Sequence, residues 1–244
     1  MKTKPTSNTD IAASITWLVD GEAQTVIRAN SALLERELYR AEPIRVGNRY
    51  PGQRNYHGTT HFSNTAQQIW HESLMERTFL LHLDFHEDVV AVAAQPMEMR
   101  FSDGTRHIPD YLALHSDHRQ VLYNVKPKKH ITEKYERQFD NATAICEQVG
   151  WTHEVVSDFD PNLEKNVAWL SNFRHHLNRP ALPAWSQLMD CLDDEPTIAA
   201  AAETMTLAPT HSARAAIYHL TWTGELELDL HTPITDRTIV RKAH

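Results

Sequence analysis

At 244 residues the chain is long enough for one large domain or two small ones with a real core. An apolar content of 41%, a mean hydropathy of −0.51 and no run near the ~20 apolar residues of a membrane span describe a globular chain with no membrane partner. The formal net charge of −8 speaks against a protein that coats DNA through general basicity, and leaves room for a DNA enzyme whose positive charge is local. The opening "MKTKPTSNTD" carries lysines but no apolar run behind them, which argues against a secretory signal. The 2 cysteines, Cys146 and Cys191, form no CxxC pair and read as reduced thiols of a cytoplasmic protein.

Residues 1–10 read as disordered. In "SITWLVDGEAQTVI" two short β-like runs flank the Asp20-Gly21 turn signal. "ANSALLERELYR" has a helical pattern. "RVGNRYPGQRNYHGTTHFSNT" has no periodicity and reads as a long loop whose Arg54 and neighbours could meet DNA. "AQQIWHESLMERTFLLHLDF" reads as one strong helix ending near Asp84-Phe85. On its wheel Ile69, Leu80 and Leu83 fall within about 40° of Glu76, with Glu72 a turn earlier on the same side. A carboxylate in such a stripe is costly to bury unless it pairs or binds a cation. Pairing of Glu76 with Arg77 or His82 is the plainer alternative.

Strand candidates follow. "VVAVAAQ" is a short buried run, and "PMEMRFS" alternates Met97, Met99 and Phe101 against Glu98 and Arg100. "SDGT" leads to "RHIPDYLALH", and "SDHR" to "QVLYNVKP", giving antiparallel β-β-β. A helix then runs from an N-cap at Thr132 to a stop at Gly150, with Tyr135, Phe139, Ala142, Ile145 and Val149 as its apolar stripe. The strand "WTHEVVS" closes an α-β-β-β-α-β order, a mixed α/β core. The helix "LEKNVAWLSNFRHHL" comes next. Three short helices, "AWSQLMDCLDD", "PTIAAAAETM" and "HSARAAIYHLTWTG", then precede the alternating "ELELDL", the outline of a winged helix. Trp151, Trp169, Trp185 and Trp222 fall in apolar patterns and read as core.

The chemistry centres on "PDY" and "YNVKPKKH". Pro109 lacks an N–H and holds Ile108 extended, so Asp110 stands at a strand entry. Asn124 and Lys126 share one face of the next strand, Tyr123 and Val125 the other. Phosphodiester hydrolysis with Mg²⁺ needs hard oxygen ligands, an activated water and a cation near the scissile phosphate. Glu76, Asp110, the Asn124 amide oxygen and the Val125 carbonyl would supply oxygens, and Lys126 the cation. The exposed run Lys128, Lys129 and His130, with His107, would contact DNA phosphates. Sixteen histidines form no four-ligand set with cysteine at zinc spacing.

These stretches resemble TnsA-type endonuclease subunits of heteromeric transposases, within the PD-(D/E)xK superfamily. "SLMERTFLLHLDFHEDVVAVAAQP" is similar to that family's Ser-x-x-Glu segment with its Val-rich strand and Gln-Pro end. "PDYLA" resembles its Asp strand, "YNVKPKKHI" its Gln-Val-Lys-Pro strand end and "EKNVAWL" the helix after the core. "YPGQRNYHGTTHF" resembles the actinobacterial-type branch. The resemblance implies an N-terminal extension over 1–45, a restriction-endonuclease-like domain over 46–178 with a mixed sheet flanked by helices, and a winged-helix-like domain over 179–244. It implies Mg²⁺-dependent cutting of double-stranded DNA at transposon 5′ ends, with Mn²⁺ able to substitute. It also implies a TnsB-like DDE transposase and a TnsC-like AAA+ ATPase as partners, and a cytoplasmic, nucleoid-associated protein. The matching site positions are Glu76, Asp110, Asn124 and Lys126. Asn124 replaces the family's usual Gln and reaches about 1.5 Å less. That difference keeps open a weakly active assembly and DNA-docking subunit; a standalone restriction or defence nuclease of the same fold is the other alternative.

Overall fold

The computed structural model describes residues 12–45, 56–63, 65–86, 88–207 and 212–243. They fall into two compact units. One is drawn from the chain up to Phe79 and from Glu87–Asp158, the other from Leu80–His86 and Phe159 onward. The first unit has one apolar core holding Ala13, Ile15 and Trp17 together with Met99, Leu122 and Ile145. Residues 13–17 are thus part of that core, where the sequence reads an extension. The second core takes Val167 and Leu170 together with Leu188, Ile198 and Ile217. The units therefore part at 158/159, where the sequence places a boundary at 178.

Strands β1 (Ala13–Val19) and β2 (Glu22–Val26) form the expected hairpin. Asp20 and Gly21 have φ of 51° and 76°, as a two-residue turn matching the strand twist requires. The helical pattern that follows resolves into two 3-10 turns, Ser31–Arg36 and Leu38–Arg40, because Glu37 between them sits at φ 50°. Next come β3 (Gly58–Phe62) and β4 (Gln67–His71), an antiparallel pair. The sequence predicts a loop and then the first turns of a helix here. Thr60 and Phe62 alternate inward on one strand, Ile69 and His71 on the other, so the true period is two. Helix α1 (Leu74–His86) starts after them and runs on past Asp84-Phe85.

The remaining elements of this unit are β5 (Val89–Ala94), β6 (Glu98–Phe101), β7 (Arg106–His107), β8 (Tyr111–His115), β9 (Gln120–Val125), α2 (Glu133–Val149) and β10 (Thr152–Val156). They build two four-stranded sheets, β2-β1-β6-β7 and β10-β9-β8-β5. The second sheet is mixed: β10 runs parallel to β9, while β9, β8 and β5 are antiparallel. The run read as one β-β-β sheet is thus shared between two. Gln95, at φ 46°, and Pro96 turn the chain out of one sheet into the other, and Pro109 turns it back. In α2, Phe139, Ala142, Ile145 and Val149 are buried as read, and Gly150 stops the helix at φ 96°. Tyr135 departs from that stripe and is only half-buried.

The second unit holds α3 (Pro161–Leu170), α4 (Leu182–Cys191), α5 (Ile198–Thr204), α6 (Ala213–Trp222) and the short pair β11 (Leu226–Glu227) and β12 (Arg241–Lys242). "ELELDL" pairs only at Leu226–Glu227. Alternation continues inward at Leu228 and Leu230, but no strand of the pair extends to meet them. Trp222 is buried, Trp185 is half-buried, and Trp169 is 51% exposed, edge-on to Phe173 and Tyr218. Among the described residues no helix is long and apolar enough to cross a membrane.

Candidate active site

The local sequence around Glu76 dictates its placement. Ser73-x-x-Glu76 opens α1 with the sequence of a capping box, but the Glu76 carboxylate reaches the N–H of Glu72 and the Ser73 hydroxyl rather than the Ser73 N–H. Ser73 Oγ accepts from the Glu76 N–H at 3.2 Å and donates to Glu76 Oε1 at 2.9 Å. Glu76 Oε2 accepts from the Glu72 N–H at 2.7 Å. The carboxylate is thereby bent back over the helix start, where the helix dipole favours it. Ile69 and Glu72 precede the helix, so the wheel relating them to Glu76 does not apply. Burial holds the Glu76 carboxyl above its ordinary 4.5, against those two hydrogen bonds, and Glu72 adds repulsion. Glu72 itself pairs with Arg45 at 2.8 Å. Ser73→Ala should cost about 1 kcal/mol in urea unfolding, with Ser73→Thr restoring most of it; an unchanged midpoint for the alanine variant would show that the cap contributes nothing.

Asp110 lies where Pro109 returns the chain to the mixed sheet. Its N–H donates to Tyr123 O at 3.1 Å, and its carbonyl accepts from Gln95 N–H at 2.7 Å. Its Oδ2 accepts from the Val125 N–H at 2.7 Å, and the nearby Asn124 side chain favours the ionised form of the same carboxyl. Register thus brings Asp110 against Asn124 and Val125, as the sequence reading requires. Burial first, and then repulsion from Glu76, push the Asp110 carboxyl from 3.8 to about 7, although the Val125 N–H, Asn124 and Lys126 oppose the rise. Tyr111, next in the chain, packs on Phe79 and has its hydroxyl against Trp70 O at 3.2 Å. Burial and then Glu76 and Asp110 hold that phenol well above its ordinary 10.

The end of β9 differs in detail from the reading of two faces. Tyr123, Asn124 and Val125 are all buried, since both faces of this central strand are covered. Asn124 is 2% exposed, and its Oδ1 lies 3.1 Å from His107 Nε2 and 2.9 Å from His153 Nε2. The oxygen expected to ligate a metal instead faces two imidazoles. His107, expected at a phosphate, is buried on β7 and turned to Asn124. Burial lowers the pKa of His107, and burial with the nearby His107 lowers that of His153 to about 4. His153 carries no motif of its own; only its place on β10, parallel to β9, brings it here.

Lys126 leaves the strand end half-buried, with Nζ 3.9 Å from the centre of the Tyr135 ring. Its charge lowers both the Asp110 and the Tyr135 pKa. Lys128, Lys129 and His130 form an exposed 3-10 turn just beyond. Arg54 lies outside the described residues. A cleft of about 780 Å³ joins Glu76, Asp110, Asn124, Val125, Lys126 and Tyr135, and Arg45, Arg106, His130 and Lys134 also line it. Glu72 and Glu98 line it as well and pair with Arg45 and Arg106, so the cleft mixes both signs of charge, with Lys126 and Lys134 among its cations.

Among the described residues no group of three or more His, Cys, Asp or Glu side chains is arranged to hold a metal ion. Four carboxylates line the cleft; Glu72 pairs with Arg45 and Glu98 with Arg100 and Arg106, which leaves Glu76 and Asp110 as the hard donors, with Val125 beside them. Two mutually repelling, desolvated carboxylates fit a divalent cation, whose charge would relieve both the burial cost and the repulsion. No protein-family model matches the chain, and no curated protein matches it significantly.

Proposed function

We propose that the chain is a metal-dependent DNA endonuclease subunit of TnsA type. The observation that carries this reading is the pairing of Glu76 and Asp110, desolvated and repelling, in one cleft with Lys126 beside them. Bound Mg²⁺ or Mn²⁺ would supply a polarised phosphate and a more acidic water. Glu76, Asp110 and the Val125 carbonyl would hold the ion. Lys126 would face the scissile phosphate and offset the charge that develops on it. The exposed Lys128, Lys129 and His130 turn would meet the DNA backbone outside the cleft.

The mixed sheet, with Asp110 at the entry of β8 and Lys126 past the end of β9, supports a restriction-endonuclease-like fold for the first unit. The helices α4, α5 and α6 followed by the β11–β12 pair support a winged-helix-like second unit. The net charge of −8 agrees with an enzyme brought to transposon ends by a DDE transposase and an AAA+ ATPase, in the cytoplasm at the nucleoid. A nicking assay on transposon-end DNA, with those two partners and Mg²⁺, tests the proposal. Glu76→Ala and Asp110→Ala should each reduce cutting more than a hundredfold; retained cutting in either variant overturns the site.

A second reading has its own observation. With its oxygen against His107 and His153, Asn124 leaves the cation one side-chain ligand short, as in a weakly active assembly and DNA-docking subunit. Calorimetric titration of Mn²⁺ in the presence of DNA separates the two. Binding heat that disappears in Asp110→Ala supports the enzyme; no Asp110-dependent heat supports the docking subunit.

A further inference from the structure

We propose that His107 and His153 are positioning residues that clamp the Asn124 carboxamide, so that its NH₂ is fixed toward the Asp110 carboxylate. Three strands contribute: His107 from β7, Asn124 from β9 and His153 from β10. The two Nε2 atoms converge on one oxygen, at 3.1 and 2.9 Å. His107 and Asn124 are buried, and His153 is half-buried between β9 and α2. Phe139 of α2 stands at an angle to both imidazoles, its centroid 6.0 Å from His107 and 6.2 Å from His153, which restricts their rotation. Thr143, one turn further along α2, places its Oγ1 2.8 Å from His153 Nδ1.

Donor and acceptor bookkeeping leaves one arrangement. The Asn124 oxygen is the end that lies 3.1 Å from His107 Nε2 and 2.9 Å from His153 Nε2, which leaves the NH₂ for Asp110, whose carboxyl only accepts once it is ionised. Each ring must then present an N–H to that oxygen. An enclosed imidazole carries one proton, so both rings hold it at Nε2. His153 Nδ1 is then an acceptor and takes the Thr143 hydroxyl proton, in competition with Phe139 O at 2.9 Å. With Asp110 ionised, reversing the amide would set its oxygen against the carboxylate and leave buried donors and acceptors mismatched.

The consequence falls on Asp110. It receives the Val125 N–H at 2.7 Å, and an Asn124 NH₂ held toward it from the same strand would add a second neighbouring donor. On the reading of the cleft as a nuclease site, on which this role rests, the shorter Asn in place of Gln acts as a donor that holds a metal-binding acid.

Long-range ¹H–¹⁵N spectra of the full chain report the ring tautomers directly. At pH 8, where Asp110 is ionised, both rings are expected as the Nε2–H form; a Nδ1–H form at either ring overturns the clamp. His107→Gln and His153→Gln keep an N–H donor, whereas His107→Leu and His153→Leu remove it. The Asn124 side-chain NH₂ signals should stay in place in the Gln variants and move in the Leu variants. Nicking by the reconstituted complex should stay within about threefold for Gln and fall at least about tenfold for Leu, in kcat and not in KM. Unmoved Asn124 signals in folded Leu variants also overturn the proposal. The tautomer measurement needs only the unaltered protein. Correct tautomers beside unaffected cutting by Asp110→Ala would sink the nuclease reading and leave the clamp standing.

Discussion

Between pH 4 and pH 8 the Asp110→Asn variant should gain about 2 kcal/mol of stability on the unaltered protein. The Asp110 carboxyl is raised in the folded chain from 3.8 to about 7, first by burial and next by Glu76. In the unfolded chain it ionises near its ordinary value. Below pH 3.8 both states hold the proton and Asp110 contributes no penalty. As pH rises from there to about 7, the unfolded state loses its proton while the folded state retains it, so stability falls. Above pH 7 the penalty is complete. At about 1.4 kcal/mol per tenfold change in proton affinity its upper limit is near 4 kcal/mol. Asp110 keeps some exposure to the cleft, so solvent screening brings the expected value to roughly half that. Asparagine cannot ionise, and its stability relative to Asp110 therefore climbs across the same window. Urea unfolding followed by tryptophan fluorescence, with divalent ions chelated, measures the difference at each pH. Parallel pH curves for the two proteins would contradict the burial and charge repulsion assigned to the site. Millimolar Mg²⁺ should restore stability to the unaltered protein at pH 8 and do little for Asp110→Asn, since an ion that binds only the folded state stabilises it by mass action.

Ile15→Ala should destabilise the first unit by about 2–5 kcal/mol. Ile15 is fully buried in β1, with β2 on one side and β6 on the other. It is opposite Met99 and shares the core with Trp17, Leu122 and Ile145. Cutting the side chain back leaves a cavity in a sheet paired on both edges, where the surroundings relax only partly. Val19, on the same strand but 44% exposed, is the control: Val19→Ala should change stability by less than about 0.5 kcal/mol. Equal small effects at both positions would mean that residues 13–19 are a detachable extension, as the sequence alone reads them. A large effect at Ile15 alone agrees with β1 as an integral strand of the β2-β1-β6-β7 sheet.

How much of the site can be read in the chain depends on how local each signal is. Ser73-x-x-Glu76 has the sequence of a capping box within four residues, and that pattern is present in the chain. The helical wheel nonetheless extends α1 back to Ala66, because Ile69 falls with Leu80 and Leu83. Over five residues, Ile69 and His71 satisfy a period of two equally well, and only the pairing of β4 with β3 decides between them. Asp110, Asn124 and Lys126 were legible as neighbours, because a tight turn between β8 and β9 fixes their register. His153 was not. It approaches Asn124 through a parallel pairing whose crossover is the whole of α2, and no short-range rule sets that register.

Within the chain, the short-range chemistry determined the elements with strong punctuation. Asp20-Gly21 supplied the two positive φ angles of the first hairpin, Gly150 stopped α2, and Pro109 set the entry to β8, whereas Thr132 begins α2 without a side-chain cap bond. Each is a preference of one or two residues for a backbone conformation, and it acts wherever the segment folds. Tertiary structure decided which strands share a sheet, which way the Asn124 amide points, and that Glu76 and Asp110 meet in one desolvated cleft. Those outcomes come from apolar burial and from pairing buried donors with acceptors, and both sum over residues far apart in the chain.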